Sequence, residues 1–301
     1  MRKTLIVIQG PTGIGKTTLS IGLANYFNTE IISSDSRQLF KELSIGTAVP
    51  SPDELNQAPH HFIHSHSIHE TYNASRFESE AIKLITDLFE THSTVILSGG
   101  SMLYVDAVCN GIDFQPDVDP EIRKQLTHEF EETGLEHLRL KLKQLDPAYY
   151  EKVDLKNPKR IIRALEICMM TGKTFTSFRT KTVKQRPFKI IKIGLNMDRE
   201  QLYNRINKRV DQMMKEGLED EVRRVFPYKN LNSLNTVGYK ELFAYLDGEI
   251  TKEKAVELIK RNSRHYARKQ LTWLRKDENI HWFEPHQTNE ITKFIENNSA
   301  E

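Results

Sequence analysis

Apolar and polar positions along this chain fall into two regimes. Over roughly the first 110 residues, short apolar runs alternate with stretches of helical periodicity. The runs at residues 5–9, 30–33 and 94–98 read as strands bounded by turn residues. Between the last two, residues 74–90 place Phe77, Ala81, Leu84, Ile85 and Leu88 on one helical face. Such alternation predicts a parallel sheet with crossover helices. The turn-rich run Gln115-Pro116-Asp117-Val118-Asp119-Pro120 then breaks the pattern. From Pro120 to about Phe178 the periodicity is helical only. Pro120 suits a first helical position and Gly134 a boundary. Asp146-Pro147 and Asn157-Pro158 each pair a cap with a first-turn proline, and Gly172 suits a helix end. A strand pattern returns at 188–195. Helices are expected at 199–216, closed by Gly217, and at 251–276, with a late edge strand at 280–283.

One segment adds chemistry to this outline. Gly10-Pro11-Thr12-Gly13-Ile14-Gly15-Lys16-Thr17 fits G-x-x-x-x-G-K-[ST], a phosphate-binding loop. It sits between the strand at 5–9 and a helix-compatible stretch at 18–27, the setting the motif requires. Its glycines let backbone N–H groups turn toward phosphate oxygens, and the following helix points its positive end the same way. Lys16 can reach the terminal phosphate, and the Thr17 hydroxyl can ligate Mg²⁺. The expected fold is α/β: a P-loop NTPase-like parallel sheet core with a helical insertion domain and C-terminal helices. The core takes residues 1–113 and 188–301, the insertion 114–187.

Bulk properties narrow the class. Hydrophobic residues make up 38% and charged residues 28%, as in globular domains. The formal net charge is +2, so a nucleic-acid surface must come from local clustering. No apolar run approaches the ~20 residues of a membrane span. Met1-Arg2-Lys3 resembles a signal n-region, but the apolar run after it is too short and passes directly into the phosphate loop. A cytoplasmic protein without membrane contact is expected. Cys109 and Cys168 are the only cysteines and read as packed thiols, not as a zinc site or disulfide.

The reactive side chains cluster near strand ends. The strand at 94–98 ends in Ser98-Gly99-Gly100-Ser101, without the carboxylate that phosphate-loop hydrolases use to organise Mg²⁺ and water. Its glycine pair allows close backbone approach to a ligand, or Ser101 is a helix N-cap. The second strand ends in Ser33-Ser34-Asp35-Ser36-Arg37-Gln38, beside the phosphate loop in a parallel sheet. Asp35 there reads as a metal ligand, a general base or an N-cap. Arg37 and Gln38 have the reach for a base edge or a phosphate. Two basic clusters, Lys159-Arg160-Ile161-Ile162-Arg163 and the Lys260–Lys276 stretch with Arg261, Arg264 and Arg268, favour a polyanionic partner. The histidines His60, His61, His64, His66 and His69 read as a loop of mixed role, since no helical i, i+4 framework or cysteine supports a metal site.

Taken in order, G-P-T-G-I-G-K-T, S-S-D-S-R-Q, I-G-T-A, A-P-H-H, G-G-S-M-L-Y, N-P-K-R-I-I-R-A-L-E, V-G-Y-K-E-L and the tail from Arg264 to Arg275 form a family pattern. The chain resembles the bacterial tRNA dimethylallyltransferases, the tRNA isopentenylpyrophosphate transferase family, from Ile6 to about Phe283. The resemblance implies transfer of the dimethylallyl group of dimethylallyl diphosphate to N6 of adenine 37 in tRNA. It implies Asp35 as general base, a phosphate loop that holds the diphosphate, and Lys16, Ser101 and Arg209 as catalytic partners. It also assigns tRNA contacts to Asp35, Ser36, Arg37 and Gln38, to Ser101 and Arg123, and to Lys159, Arg160, Ile161, Ile162 and Arg163. The implied cofactor is Mg²⁺, the RNA partner an anticodon stem-loop, and the assembly a monomer. Ser101 stands where the family usually has Thr, and Leu39-Phe40 replaces the commoner Val-Tyr. Two alternatives share the loop: an adenylate isopentenyltransferase acting on a free nucleotide, and a small-molecule P-loop kinase. Neither uses the basic surfaces.

Overall fold

The computed structural model describes residues 3–113, 116, 119–180 and 182–299. Met1-Arg2 of the n-region, and Gln115, Asp117 and Val118 of the turn-rich run, lie outside the described residues. The chain begins with β1 (Thr4–Gln9), α1 (Lys16–Phe27), β2 (Ile31–Ser33), α2 (Pro52–Leu55), β3 (His60–His61), α3 (Ala74–Thr91), β4 (Thr94–Ser98) and α4 (Met102–Asn110). The helical stretch holds α5 (Pro120–Leu145), α6 (Pro147–Tyr150) and α7 (Pro158–Thr171). Then come β5 (Lys189–Leu195), α8 (Arg199–Lys215), α9 (Leu218–Val225), α10 (Tyr239–Leu246), α11 (Lys252–Leu274), β6 (Ile280–Phe283) and α12 (Thr288–Ser299). By contact the chain divides into two compact units, Met1–Asn110 with Gln185–Glu301, and Gly111–Lys184.

In the first unit the six strands form one parallel sheet in the order β3-β2-β4-β1-β5-β6. The central strand β1 is buried at every position, which is why it reads as a continuous apolar run rather than an alternation. Ile6 pairs with Ile96 on one side and Ile191 on the other. This order brings the ends of β1, β4 and β2 side by side, so the phosphate loop, Ser98–Ser101 and Ser33–Gln38 share one edge. β3 is not legible in the sequence. Two residues are too few to show alternation, and His60 enters the sheet only by pairing with Ile31.

A second core of this unit packs α8–α11 around Leu218, Val222, Leu242 and Tyr239. Glu221 lies within it, 2% exposed. Its carboxylate accepts from the backbone N–H of Ser44 (2.9 Å), Ile45 (2.8 Å) and Gly46 (2.9 Å), and from the Tyr239 hydroxyl (2.6 Å). Burial and this carboxylate together raise the Tyr239 pKa. Gly46 is required here because a Cβ would sit 2.7 Å from the Tyr239 ring. Glu221→Ala strands three half-buried N–H donors and the buried Tyr239 hydroxyl, and we expect it to cost about 3 kcal/mol in a denaturant titration. An unchanged midpoint would contradict this anchoring role.

The second unit is built from α5, α6 and α7 around Leu126, Leu138, Leu142, Ile161 and Phe175. Asp119, Asp146 and Asn157 cap their helices, each with a first-turn proline behind it. Gly134 interrupts α5 at φ 79°, ψ −178°, so the expected boundary is a kink from which the helix resumes. Cys109 and Cys168 are both buried, and burial pushes the Cys109 thiol up to about 12.

Candidate active site

Gly15 precedes α1 at φ 108° and offers no capping side chain. The first-turn N–H groups of α1 are therefore left for a ligand. The Lys16 stem is partly exposed, but its ammonium is enclosed and donates to the carbonyls of Gly10 (2.9 Å) and Pro11 (3.0 Å). Burial lowers its pKa to about 8; the Asp35 carboxylate pulls it upward, and the Arg209 cation presses it down.

At the tip of β4, the Ser20 hydroxyl donates to Ser98 Oγ (2.8 Å), and the segment Ser98–Ser101 carries no carboxylate of its own. The close approach at Gly99 is to protein, not to a ligand. A Cβ on Gly99 would lie 2.4 Å from the Ser34 carbonyl carbon, because β2 and β4 converge. Ser34 N donates to the Ser98 carbonyl (2.8 Å), and Ser101 N to the Ser34 carbonyl (3.2 Å). Ser101 Oγ accepts from Ser36 N (2.8 Å) and donates to Ser36 Oγ (2.8 Å), so this hydroxyl serves the β2 loop and not the start of α4. These contacts fix the turn that carries Asp35.

Asp35 Oδ1 accepts from Arg37 N (2.9 Å) in a local turn, and no helix follows for it to cap. The other oxygen, Oδ2, lies on the Gly100 side, 3.3 Å from where a Cβ on Gly100 would be. Lys16, Arg37 and Arg209 all feel this carboxylate, which partly offsets the lowering that burial imposes on each. Arg37 and Gln38 do not project as free contacts. The Arg37 guanidinium donates to the carbonyls of Asn232 (3.2 Å) and Ser233 (2.8 Å). Gln38 donates to the Ala48 carbonyl (2.9 Å) and accepts from Ser33 Oγ (3.1 Å).

Three further groups were not singled out from sequence. Gln270 of α11 is 1% exposed; its Oε1 accepts from Thr12 N (2.9 Å), and its Nε2 donates to the Gly100 carbonyl (2.9 Å). The Tyr266 hydroxyl donates to the same carbonyl (3.2 Å). Burial pushes the phenols of Tyr104 and Tyr266 up to about 12, so both keep their protons at neutral pH. Arg205, one turn before Arg209 on α8, brings Nη2 to 3.5 Å from where a Cβ on Gly15 would lie. Tyr266 and Gln270 lie in the Arg264–Arg275 motif, where an i, i+4 reading aimed at one neighbour was the available signal.

Two cavities meet at Asp35. One, of about 330 Å³, is lined by Lys16, Thr17, Arg205, Ser33 and Glu54. The other, of about 340 Å³, is lined by Ser36, Ser101, Met213, Val237 and Ile259. Thr12, Asp35, Thr47, Arg209 and Tyr266 border both. For Mg²⁺ the donor set fits. Thr17, Ser33 and Glu54 present hard oxygens in the first cavity, where Mg²⁺ takes one or two protein oxygens and fills its shell from water and phosphate.

The remaining residues expected at the site lie in the second unit. Arg123 of α5 makes a two-pronged pair with Glu166 (2.5 and 2.8 Å), which is fully buried; Arg163 approaches the same carboxylate at 3.5 Å. Lys159 and Arg160 are exposed. Ile161 is a correction: α7 turns it into the core at 0% exposure, so it offers RNA no surface, and Ile162 is packed against the same cluster. The histidines have separate partners. His60 bonds the Ala58 carbonyl (2.8 Å), His61 pairs with Glu30 (2.5 Å), and His64 meets Ser44 Oγ (3.2 Å).

A family model described as IPP transferase matches residues 38–277. A Bacteroides thetaiotaomicron protein named tRNA dimethylallyltransferase 1 is 59% identical over 97% of this chain and 95% of its own length. A namesake from Bacteroides fragilis is 57% identical over 98% of both chains. Among solved structures, a tRNA isopentenylpyrophosphate transferase from Bacillus halodurans matches with TM-score 0.73 at 36% identity, covering 100% of this chain and 97% of that one. A eukaryotic dimethylallyltransferase acting on tRNA matches with TM-score 0.78 at 27% identity, covering 98% and 80%.

Proposed function

Because the chain belongs to the IPP transferase family and transfers a dimethylallyl group to tRNA, we propose that its two cavities hold the two substrates on either side of Asp35. The phosphate loop takes the diphosphate of dimethylallyl diphosphate. N6 of adenine 37 enters from the second cavity. The N6 lone pair is delocalised into the purine and is a poor nucleophile. Asp35 accepts an N6 proton as the new N–C bond forms at the allylic carbon. The C–O bond breaks, and its electron pair stays on diphosphate. Lys16, the loop N–H groups, Arg205 and Arg209 stabilise that developing charge. Mg²⁺, when bound through Thr17 and the diphosphate, would neutralise part of it.

A single observation carries this reading: among the described residues Asp35 is the one carboxylate that borders both cavities, and Lys16, Arg205 and Arg209 surround the phosphate side. Ser101 supports it indirectly by holding Ser36 and hence the Asp35 turn. The exposed Lys159 and Arg160 fit a role on the stem phosphates of the anticodon stem-loop. The target base leaves its loop stack to reach Asp35, which costs less than leaving a duplex. Asp35, Lys16, Arg205 and Arg209 line the site together, so the proposed chemistry needs no second copy of the chain. No helix among the described residues is long and apolar enough to cross a membrane. With tRNA as substrate, we place the reaction in the cytoplasm. The free-nucleotide and kinase alternatives are not favoured, since relatives up to 59% identical are named for tRNA.

Incubating the protein with Mg²⁺, dimethylallyl diphosphate and an unmodified anticodon stem-loop tests this directly. Mass spectrometry should find one dimethylallyl group on one adenine. Transfer to AMP in its place, or phosphoryl transfer from ATP, would overturn the reading.

A further inference from the structure

Glu166 of α7 is fully buried in the second unit, a carboxylate among apolar neighbours such as Leu165 and Ile167. Its Oε1 and Oε2 accept from Nε and Nη2 of Arg123 on α5 (2.5 and 2.8 Å). Arg163, one turn before it on α7, approaches Oε2 at 3.5 Å and also donates to the Pro116 carbonyl (3.5 Å). One buried anion thus serves two cations, and the group is net positive. A buried ion pair gains little stability over apolar side chains of like volume, so stability does not explain a carboxylate here. The Arg123 side chain is 58% exposed although its inner edge is fixed. Its guanidinium has five N–H groups. The Nε–Nη2 edge points to Glu166, which leaves the Nη1–Nη2 edge as a second pair of donors. Among the described residues the guanidinium has no other hydrogen-bond or ion-pair partner. Lys159, Arg163 and Glu166 follow at i, i+4 and i+7, so the fork continues the stripe that begins at the exposed Lys159.

We propose that Glu166 is a positioning residue for RNA binding: it holds Arg123 as a rigid two-pronged donor for one backbone phosphate of the anticodon stem. A phosphate fits the open edge, because two parallel N–H groups match two of its oxygens. The carboxylate does not touch the RNA. It orders a long, flexible side chain before binding, so that less ordering is left for the moment the RNA arrives. This role rests on the reading that the second unit meets the stem phosphates.

Charge and positioning predict opposite signs for Glu166→Gln. Removing an anion beside a polyanion should tighten binding of the stem-loop by Coulomb attraction alone. Loss of positioning weakens it instead, by about fivefold, the cost of one freed arginine. Fluorescence anisotropy with a labelled stem-loop reads the difference, and KM for the stem-loop should rise by a similar factor with little change in kcat. Arg123→Met should cost about tenfold and flatten the slope of log K against log salt by about 0.7–0.9, one phosphate contact. In that background Glu166→Gln should change affinity by less than about twofold. Binding that is unchanged or tighter in Glu166→Gln overturns the proposal. So does an equal loss in the Arg123→Met background, which would make Glu166 a support of the whole unit. Should Glu166→Gln fail to fold, Glu166→Asp decides. It keeps the charge, draws the carboxylate back by one methylene, and should weaken binding about threefold; unchanged binding overturns the proposal equally. If Arg123→Met binds as the unaltered protein does, the phosphate reading fails and positioning falls with it. If Arg123→Met weakens binding and Glu166→Gln does not, the phosphate contact stands and positioning alone falls.

Discussion

Asp35→Asn is expected to lower single-turnover transfer by about 10²–10⁴-fold while diphosphate binding survives. The amide keeps the shape and can still accept the Arg37 N–H through Oδ1, so the turn between Ser33 and Gln38 should hold. It cannot take a proton from N6. The substitution also removes an anion from among Lys16, Arg37 and Arg209, leaving the cavity more positive. The donor should therefore bind as well as before or more tightly. Rapid-quench transfer and calorimetric binding of inorganic diphosphate separate the two effects. Turnover at the unaltered rate would remove Asp35 from the role of base.

Lys16 gives the second large effect. Its folded pKa of about 8 lies below the ordinary 10.5 because the protonated form is penalised by enclosure. Between those values an unfolded chain holds a proton that the folded one has released, so by linkage this group makes folding more favourable as pH rises through that window. Donor binding runs the other way, because the diphosphate needs the ammonium. kcat/KM for dimethylallyl diphosphate should fall above pH about 8, at most tenfold per pH unit. A bound diphosphate stabilises the ammonium, so the limb in kcat should lie higher. Lys16→Gln should abolish the limb and cost about 10²–10³-fold in kcat/KM. In Asp35→Asn the limb should move below 8, since Asp35 normally raises this pKa. A limb that persists in Lys16→Gln would belong to another group.

How much of this was legible in the sequence depends on how local each feature is. The phosphate loop and the cap–proline pairs were readable because strand, turn and helix preferences act over a few residues, whereas the glycines and Ser101 at the tip of β4 meet the distant β2 loop. Asp35 was readable because β2 ends just before it and parallel strands deliver their carboxyl ends to one edge. Arg37 has the residue type and reach of a substrate contact. Its guanidinium instead serves the carbonyls of Asn232 and Ser233, a destination that residue type cannot encode. Ile161 sits within a basic segment, yet its place on α7 turns it inward. Glu221 was invisible for a related reason: three of its four partners are backbone N–H groups more than 170 positions away. Gln270 and Tyr266 stood within a recognised motif, but their task appears only when α11 is laid against Thr12 and Gly100.

The bond from Thr12 N to Gln270 spans 258 positions, and it bears on synthesis. At about 5–20 residues per second, tens of seconds separate the emergence of the phosphate loop from that of its partner. Throughout that interval the early sheet strands can pair, yet the loop lacks the side chain that joins it to the Gly100 turn. Binding competence thus waits for α11 to emerge, and a ribosome-bound fragment stopped at Leu246 should hold inorganic diphosphate poorly even with β1, β2, β4 and β5 in place.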